Sequence, residues 1–91
     1  EYVYDRIRAY LQLSRSYRAL NRHESAEASV KLALQIDPGD PQLHKELGYV
    51  YHALQRDKEA VKEFQFYIER LPAAPDLESV RSLIKQIAIE E

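Results

Sequence analysis

The chain has 91 residues, is 45% hydrophobic and 31% charged, and carries a formal net charge of -2. A chain this short folds only if most of its apolar residues share one core, so a single domain over residues 1–91 is expected. The small net charge excludes a broad pull toward nucleic acid or anionic membrane, and the absence of cysteine excludes disulfide frameworks and thiolate chemistry.

No stretch approaches the roughly 20 apolar residues of a membrane-spanning helix, and the N-terminus lacks the basic-then-apolar layout of a signal peptide. A soluble chain is expected, with the cytoplasm favoured although the composition fixes no compartment. The sequence has no methionine and begins Glu1-Tyr2-Val3-Tyr4 within a helical pattern, which reads as a piece of a longer protein.

Taken in order, the first helix starts near Tyr2 or Val3, because Val3, Ile7, Tyr10, Leu13, Tyr17 and Leu20 recur at three and four residues. Asn21-Arg22 closes it, and Asn21 is suited to the left-handed conformation. A second helix carries Ala26, Val30, Ala33 and Leu34. Asp37-Pro38-Gly39-Asp40-Pro41 then stops that helix and starts the next, with Asp40 as N-cap and Pro41 in the first helical position. The third helix carries Leu43, Leu47, Val50, Tyr51 and Leu54. After the link Gln55-Arg56-Asp57, in which Asp57 is expected to be the N-cap, the fourth carries Ala60, Phe64, Tyr67, Ile68 and Leu71. Pro72-Ala73-Ala74-Pro75-Asp76 breaks the chain again. A last helix with Leu77, Val80, Leu83, Ile84 and Ile87 can then cover the open end of the stack, as a solenoid requires.

A shift of 34 residues carries Leu13 onto Leu47, Tyr17 onto Tyr51, Ala19-Leu20 onto Ala53-Leu54, Arg22 onto Arg56, Ala26 onto Ala60 and Pro38 onto Pro72. The expected organisation is therefore all-α: one antiparallel helical hairpin over 7–40, a second over 41–74 and a capping helix over 75–91. The second copy has His44, Leu47-Gly48, Tyr51, Ala60, Phe64 and Pro72; the first has Tyr10, Leu13-Ser14, Tyr17, Ala26, Val30, Ala33 and Pro38. This pattern resembles the tetratricopeptide repeat family, with two departures: Ser14 stands where a glycine is usual, and Tyr67 where a small residue is. A second likeness involves Tyr67 to Asp76 and the helix through Val80-Arg81. It is similar to the C-terminal tail of bacterial proteins that join a transglutaminase-like domain to terminal repeats of this kind.

The family resemblance implies a right-handed α–α solenoid fragment whose first helices line a concave groove for a peptide or a partner helix. Carried over by position, that groove holds Arg8, Leu11, Gln12, Arg15, Arg18 and Ala19, then Gln42, Lys45, Glu46, Tyr49, His52 and Ala53. Its balance is basic, and arginine forks bind carboxylates in bidentate fashion, so an acidic or C-terminal peptide is one expectation. The other is that these arginines only solvate an exposed helix face. Chaperone-binding members clamp a terminal carboxylate at positions that here hold Leu11, Arg15, Glu46, Asp76 and Val80, so that clamp is absent.

Chemistry beyond binding finds no pattern to rest on. His23, His44 and His52 do not form the four-residue helical pair of a zinc site, the serines lack a nucleophile elbow, and Asp37 to Asp40 lacks the ligand spacing of a calcium loop. No enzyme activity, cofactor, nucleic acid or membrane insertion is expected; the partner is a protein or peptide. Leu32 and Phe66 occupy equivalent places one step off the buried stripes. They are expected to be partly exposed and to offer contacts to a second copy or to a parent domain. The alternative role is thus a structural or oligomerising accessory of a larger protein.

Overall fold

A computed structural model describes residues 2–90, without the side chain of Glu90. It has five α-helices and, among the described residues, no strand: α1 (Tyr2–Ala19), α2 (His23–Ile36), α3 (Pro41–Ala53), α4 (Asp57–Arg70) and α5 (Leu77–Glu90). α1 packs on α2 and α3 on α4; α2 and α3 join the two hairpins, and α5 lies against α4. The fold is the all-α pair of hairpins with a capping helix that the sequence leads one to expect.

The two hairpins turn by the same device. Asn21 and Gln55, 34 residues apart, are the two non-glycine residues with positive φ among the described residues, at 61° and 62°. In each case the next residue's N–H reaches back five positions, Arg22 to the Tyr17 carbonyl and Arg56 to the Tyr51 carbonyl, both at 2.8 Å. These bonds satisfy carbonyls that the helix end leaves open, the hydrogen-bond pattern of a Schellman cap. Between hairpins the Asp40 carboxylate accepts the Gln42 N–H at 2.9 Å, with Pro41 opening the helix as expected. Asp57 is not an N-cap. Arg56 holds that position without a side-chain cap, and Asp57 is the first helical residue, its carboxylate instead meeting His52 Nδ1 at 3.1 Å.

One core runs through the stack, built from Ile7, Val30, Ala33, Leu43, Leu47, Tyr51, Ala60, Phe64, Tyr67, Leu77, Val80 and Ile87. Each large apolar side chain removed from water contributes roughly 1.5–3 kcal/mol. α3 and α4 meet closely at Gly48, where an added Cβ would lie 2.6 Å from Phe64 Cε1. In the first hairpin the equivalent pair is Ser14 and Val30, both fully buried; the smaller valine leaves space for a hydroxymethyl group.

The stripe expected on the first helix departs from the structure. Leu13 is 45% exposed, Leu20 is 65% exposed and lies beyond the helix end, and Val3 is also in solvent. Periodicity placed these residues on one face, but among the described residues no helix precedes α1 to cover it. In the second copy the counterpart of Leu13, Leu47, is 4% exposed, and that of Leu20, Leu54, is half-buried. Of the last helix, Leu77, Val80 and Ile87 are buried and Leu83 and Ile84 half-buried, while Glu78, Ser79, Arg81, Ser82, Lys85 and Gln86 point to water. α5 is therefore apolar inward and mostly polar outward, as a cap must be, with Ala88 and Ile89 exposed in its last turn.

Candidate functional site

The residues picked out for the groove lie on α1 and α3, which touch directly. At their junction sits Glu46, expected on the open face but only 2% exposed. Its carboxylate accepts from Ser14 Oγ at 3.0 Å, and from Arg18 through Nε at 3.0 Å and Nη2 at 2.9 Å, a bidentate fork. Arg15 Nε stands 4.0 Å away. Burial of a carboxylate is tolerated here because its lone pairs are occupied and its charge is matched. Glu46 is thus a structural anion that ties α1 to α3, and it withdraws Arg18 from any ligand that leaves this pair intact.

Arg18 also covers the Tyr49 ring, 5.0 Å from its centroid, and Tyr49 meets Phe64 edge-on at 5.2 Å. Tyr49 is therefore half-buried and held on two sides. Lys45 Nζ bonds Asp76 Oδ2 at 2.8 Å and lies 5.0 Å from the Tyr67 ring centroid, while the Tyr67 hydroxyl donates to Asp76 Oδ1 at 2.5 Å. The Lys45 ammonium, then the Tyr67 hydroxyl, hold the Asp76 carboxyl below the ordinary aspartate range. Burial and the hydrogen bond to Asp76 push the Tyr67 phenol up. Burial alone would lower Lys45, but the hydrogen bond to Asp76 and the neighbouring groups outweigh it and raise it.

Arg8, Gln12 and Gln42 have exposed side chains, and Arg15 is 43% exposed. These four, with exposed Ala19 and Ala53 and half-buried Leu11 and Tyr49, are what the face offers to solvent. His52 is turned toward Asp57. The two candidates for outside contact are both partly exposed, Leu32 at 43% and Phe66 half-buried, but Phe66 is also contacted by its own chain. The His44 ring lies 3.8 Å from Phe66, and the Arg70 guanidinium 4.6 Å. His44 is fixed in turn by Glu63 at Nδ1 and by the Pro38 carbonyl, to which Nε2 donates at 2.7 Å.

Sequence reasoning passed over one feature. An open cavity of about 660 Å³ lies between the start of α3 and the α4–α5 link, with Leu71, Pro72, Ala73, Ala74 and Pro75 as its apolar wall and Gln42, Lys45, Arg70 and Asp76 among its polar groups. The Pro72–Pro75 segment that breaks the chain also makes this wall: its two prolines limit the backbone, and the turn is held by the Ala74 N–H donating to the Leu71 carbonyl at 3.1 Å. Among the described residues no cluster of three or more histidines and carboxylates is placed to hold a metal, and no helix is long and apolar enough to cross a membrane.

Stacked antiparallel hairpins, joined through their neighbouring helices and closed by a polar-backed helix, define a helical-repeat interaction domain. A family model described as tetratricopeptide repeat matches residues 13–85. The chain belongs to the tetratricopeptide repeat family. Domains of this family generally mediate protein–protein interactions and are typically non-catalytic. No curated protein and no solved structure matches the chain.

Proposed function

We propose that this single domain binds a short acidic segment of a partner protein on the α1–α3 face, with Arg8 and Arg15 meeting its carboxylates, Gln12 and Gln42 its backbone, and Tyr49 an apolar side chain. The observation that carries the reading is the buried Glu46 cluster. By fastening α1 to α3 it fixes the spacing of the residues that remain exposed, so a ligand meets a preorganised surface and loses less on ordering it. Arg18, Lys45 and His52 act as supports rather than as ligand contacts, because each is already engaged within the chain.

The test is binding of immobilised ten-residue peptides, rich in Glu and Asp, rich in Lys, or neutral, to the wild-type chain and to Arg8→Glu/Arg15→Glu. The acidic set should bind at least about tenfold more tightly, since one lost charge-assisted contact is worth roughly 1.5–3 kcal/mol. The variant should lose that preference while its thermal midpoint stays within about 2 °C of wild type. Equal binding of all three sets, or an undiminished preference in the variant, refutes the reading. The accessory-domain alternative has one observation in its favour, the uncovered apolar face of α1.

A further inference from the structure

The charges around the cavity at the α4–α5 link do not cancel. Among the described residues three charged groups line it: Lys45, Arg70 and Asp76. Lys45 and Asp76 are paired at 2.8 Å, and the other Asp76 oxygen accepts from the Tyr67 hydroxyl. Arg70 is exposed and takes part in none of the ion pairs formed among the described residues. What it does touch is an aromatic ring. Its guanidinium lies over Phe66, 4.6 Å from the centroid, and the His44 ring meets Phe66 at 3.8 Å. His44 is held at both ring nitrogens, by Glu63 and by the Pro38 carbonyl. A guanidinium laid on a ring keeps its N–H donors, which lie in its own plane, free at the edge. Arg70 is thus a cation positioned by an anchored pair of rings and left without an anion.

The rest of the lining is mostly apolar and set in place before any ligand arrives. Leu71 and Ala74 are half-buried, while Pro72, Ala73 and Pro75 are exposed. The Ala74 N–H donates to the Leu71 carbonyl and the Val80 N–H to the Asp76 carbonyl, both at 3.1 Å. The Asp76 carboxylate, through Lys45 and Tyr67, fastens the link to α3 and to α4. The volume of about 660 Å³ falls within the roughly 300–1,000 Å³ of small-molecule sites, which are likewise apolar with a few polar groups that fix orientation. Preformed walls spare a ligand the cost of ordering them.

We propose that this cavity is a binding site for an aliphatic carboxylate, whose chain lies along the wall of residues 71–75 and whose head takes the open edge of Arg70, with the exposed Gln42 amide as a further donor from α3. The charge count selects the head group. Lys45 and Asp76 compensate one another, so one positive charge is left over, and a carboxylate matches it. A phosphate monoester dianion would leave a negative charge beside Asp76, and an ammonium would face Arg70 with like charge. Geometry selects it too, because the edge of a guanidinium meets a carboxylate through two parallel hydrogen bonds. The site is separate from the proposed peptide face: Arg8 and Arg15 do not line it, and Gln42 alone is common to both.

The probes are octanoate, octan-1-ol and octylammonium, each titrated below its micelle concentration into the isotope-labelled wild-type chain and followed by amide chemical shifts. Octanoate should saturate, with shifts centred on Gln42, Lys45 and the non-proline residues of 71–77. It should bind at least about tenfold more tightly than octan-1-ol, as one charge-assisted contact implies, and octylammonium no better than the alcohol. Arg70→Gln should bring octanoate down to the alcohol and leave the alcohol unchanged. Phe66→Leu keeps the charge and removes the ring beneath it, so octanoate alone should weaken, by about threefold. Ala73→Phe, at an exposed position outside the core, should block both. The Arg70 and Ala73 variants should keep thermal midpoints within about 2 °C of wild type. Arg8→Glu/Arg15→Glu should leave octanoate binding intact, so the peptide site and this one fail separately. Absence of saturable octanoate binding overturns the proposal. So do equal affinities for the three head groups, an undiminished preference in Arg70→Gln, or shifts centred on the exposed apolar residues of α1 or on Ile89.

Discussion

Replacing Gly48 by alanine sets two effects of opposite sign against each other. In a helix interior alanine is favoured over glycine by about 1 kcal/mol. The new Cβ, however, would stand 2.6, 2.8 and 3.0 Å from Cε1, Cδ1 and Cζ of Phe64, against an ordinary carbon–carbon contact of about 3.5–4.0 Å. Phe64 is fully buried and meets Tyr49 edge-on, so its ring has to move by about 1 Å within a filled core. Overpacking of this kind costs about 1–3 kcal/mol, and three contacts this short against a buried ring place it in the upper part of that range, at about 2–3 kcal/mol. The net expectation is a loss of about 1–2 kcal/mol, which for a domain of this size lowers the thermal midpoint by about 5–15 °C. The first hairpin supplies the control, since Val30 stands where Phe64 does. In a Phe64→Val background, itself destabilised by about 2–4 kcal/mol, Gly48→Ala should be neutral or stabilising, a coupling of about 2 kcal/mol. Urea denaturation followed by far-ultraviolet circular dichroism measures all four corners. A Gly48→Ala chain as stable as wild type, or a coupling below about 0.5 kcal/mol, refutes the reasoning.

Three further outcomes follow from the geometry. Glu46→Ala leaves Ser14 and Arg18 without their acceptor, and because Arg18 is partly solvated the loss should fall at about 2–4 kcal/mol, below that of a fully buried pair; chemical denaturation measures it, and Ser14→Ala alone should cost about 1 kcal/mol. Gln55→Gly should stabilise by about 1 kcal/mol, since an L-residue other than Asn or Asp is strained at φ 62°; a lower midpoint would show that the Gln55 side chain contributes more than the strain removes. The Asp76 carboxyl is held below its ordinary value, so it binds fewer protons folded than unfolded. Its contribution is therefore present above the ordinary aspartate range and is lost as pH falls through the lowered value. Thermal midpoints from pH 7 to pH 2 should decline below about pH 4, and Asp76→Asn should shallow that decline.

The architecture was legible because its signals are local. The Asp40-Pro41 start, left-handed Asn21 and the small-residue positions each act within a few residues, and the 34-residue shift repeats them. Burial was not legible to the same degree. Helical periodicity says which residues share a face, not whether anything lies against it, and so it placed Leu13 and Leu20 in a core. Glu46 was misplaced for a related reason. Its partners Ser14 and Arg18 are 32 and 28 residues away, so the pairing depends on how α1 sits against α3. One sign was present in the sequence: a serine at a position of close helix approach brings a hydroxyl that must find an acceptor. Phe66 is partly exposed as its position suggests, but the pattern shows its own helix and not the His44 ring that meets it from α3.

The two hairpins have met the same packing problem in different ways, and the difference separates their roles. In the second, glycine yields to a phenylalanine ring, and the contact is wholly apolar. In the first, the residue opposite is valine, and the serine hydroxyl at the glycine position reaches into the next hairpin to bind Glu46. That bond crosses between repeats, so the polar substitution inside one hairpin becomes a fastening between the two. It also places the carboxylate that holds Arg18, which in turn covers Tyr49 and so bears on Phe64 beside Gly48. The departure at Ser14 and the glycine at 48 are therefore opposite ends of one connected set of contacts. If so, Ser14→Gly, which keeps the close approach and removes only the hydroxyl, should weaken the α1–α3 junction more than its small size suggests. Amide exchange would show it: faster exchange in α1 and at Tyr49, with α4 and α5 unchanged, is the expected pattern, and a uniform change along the chain would sever the proposed connection.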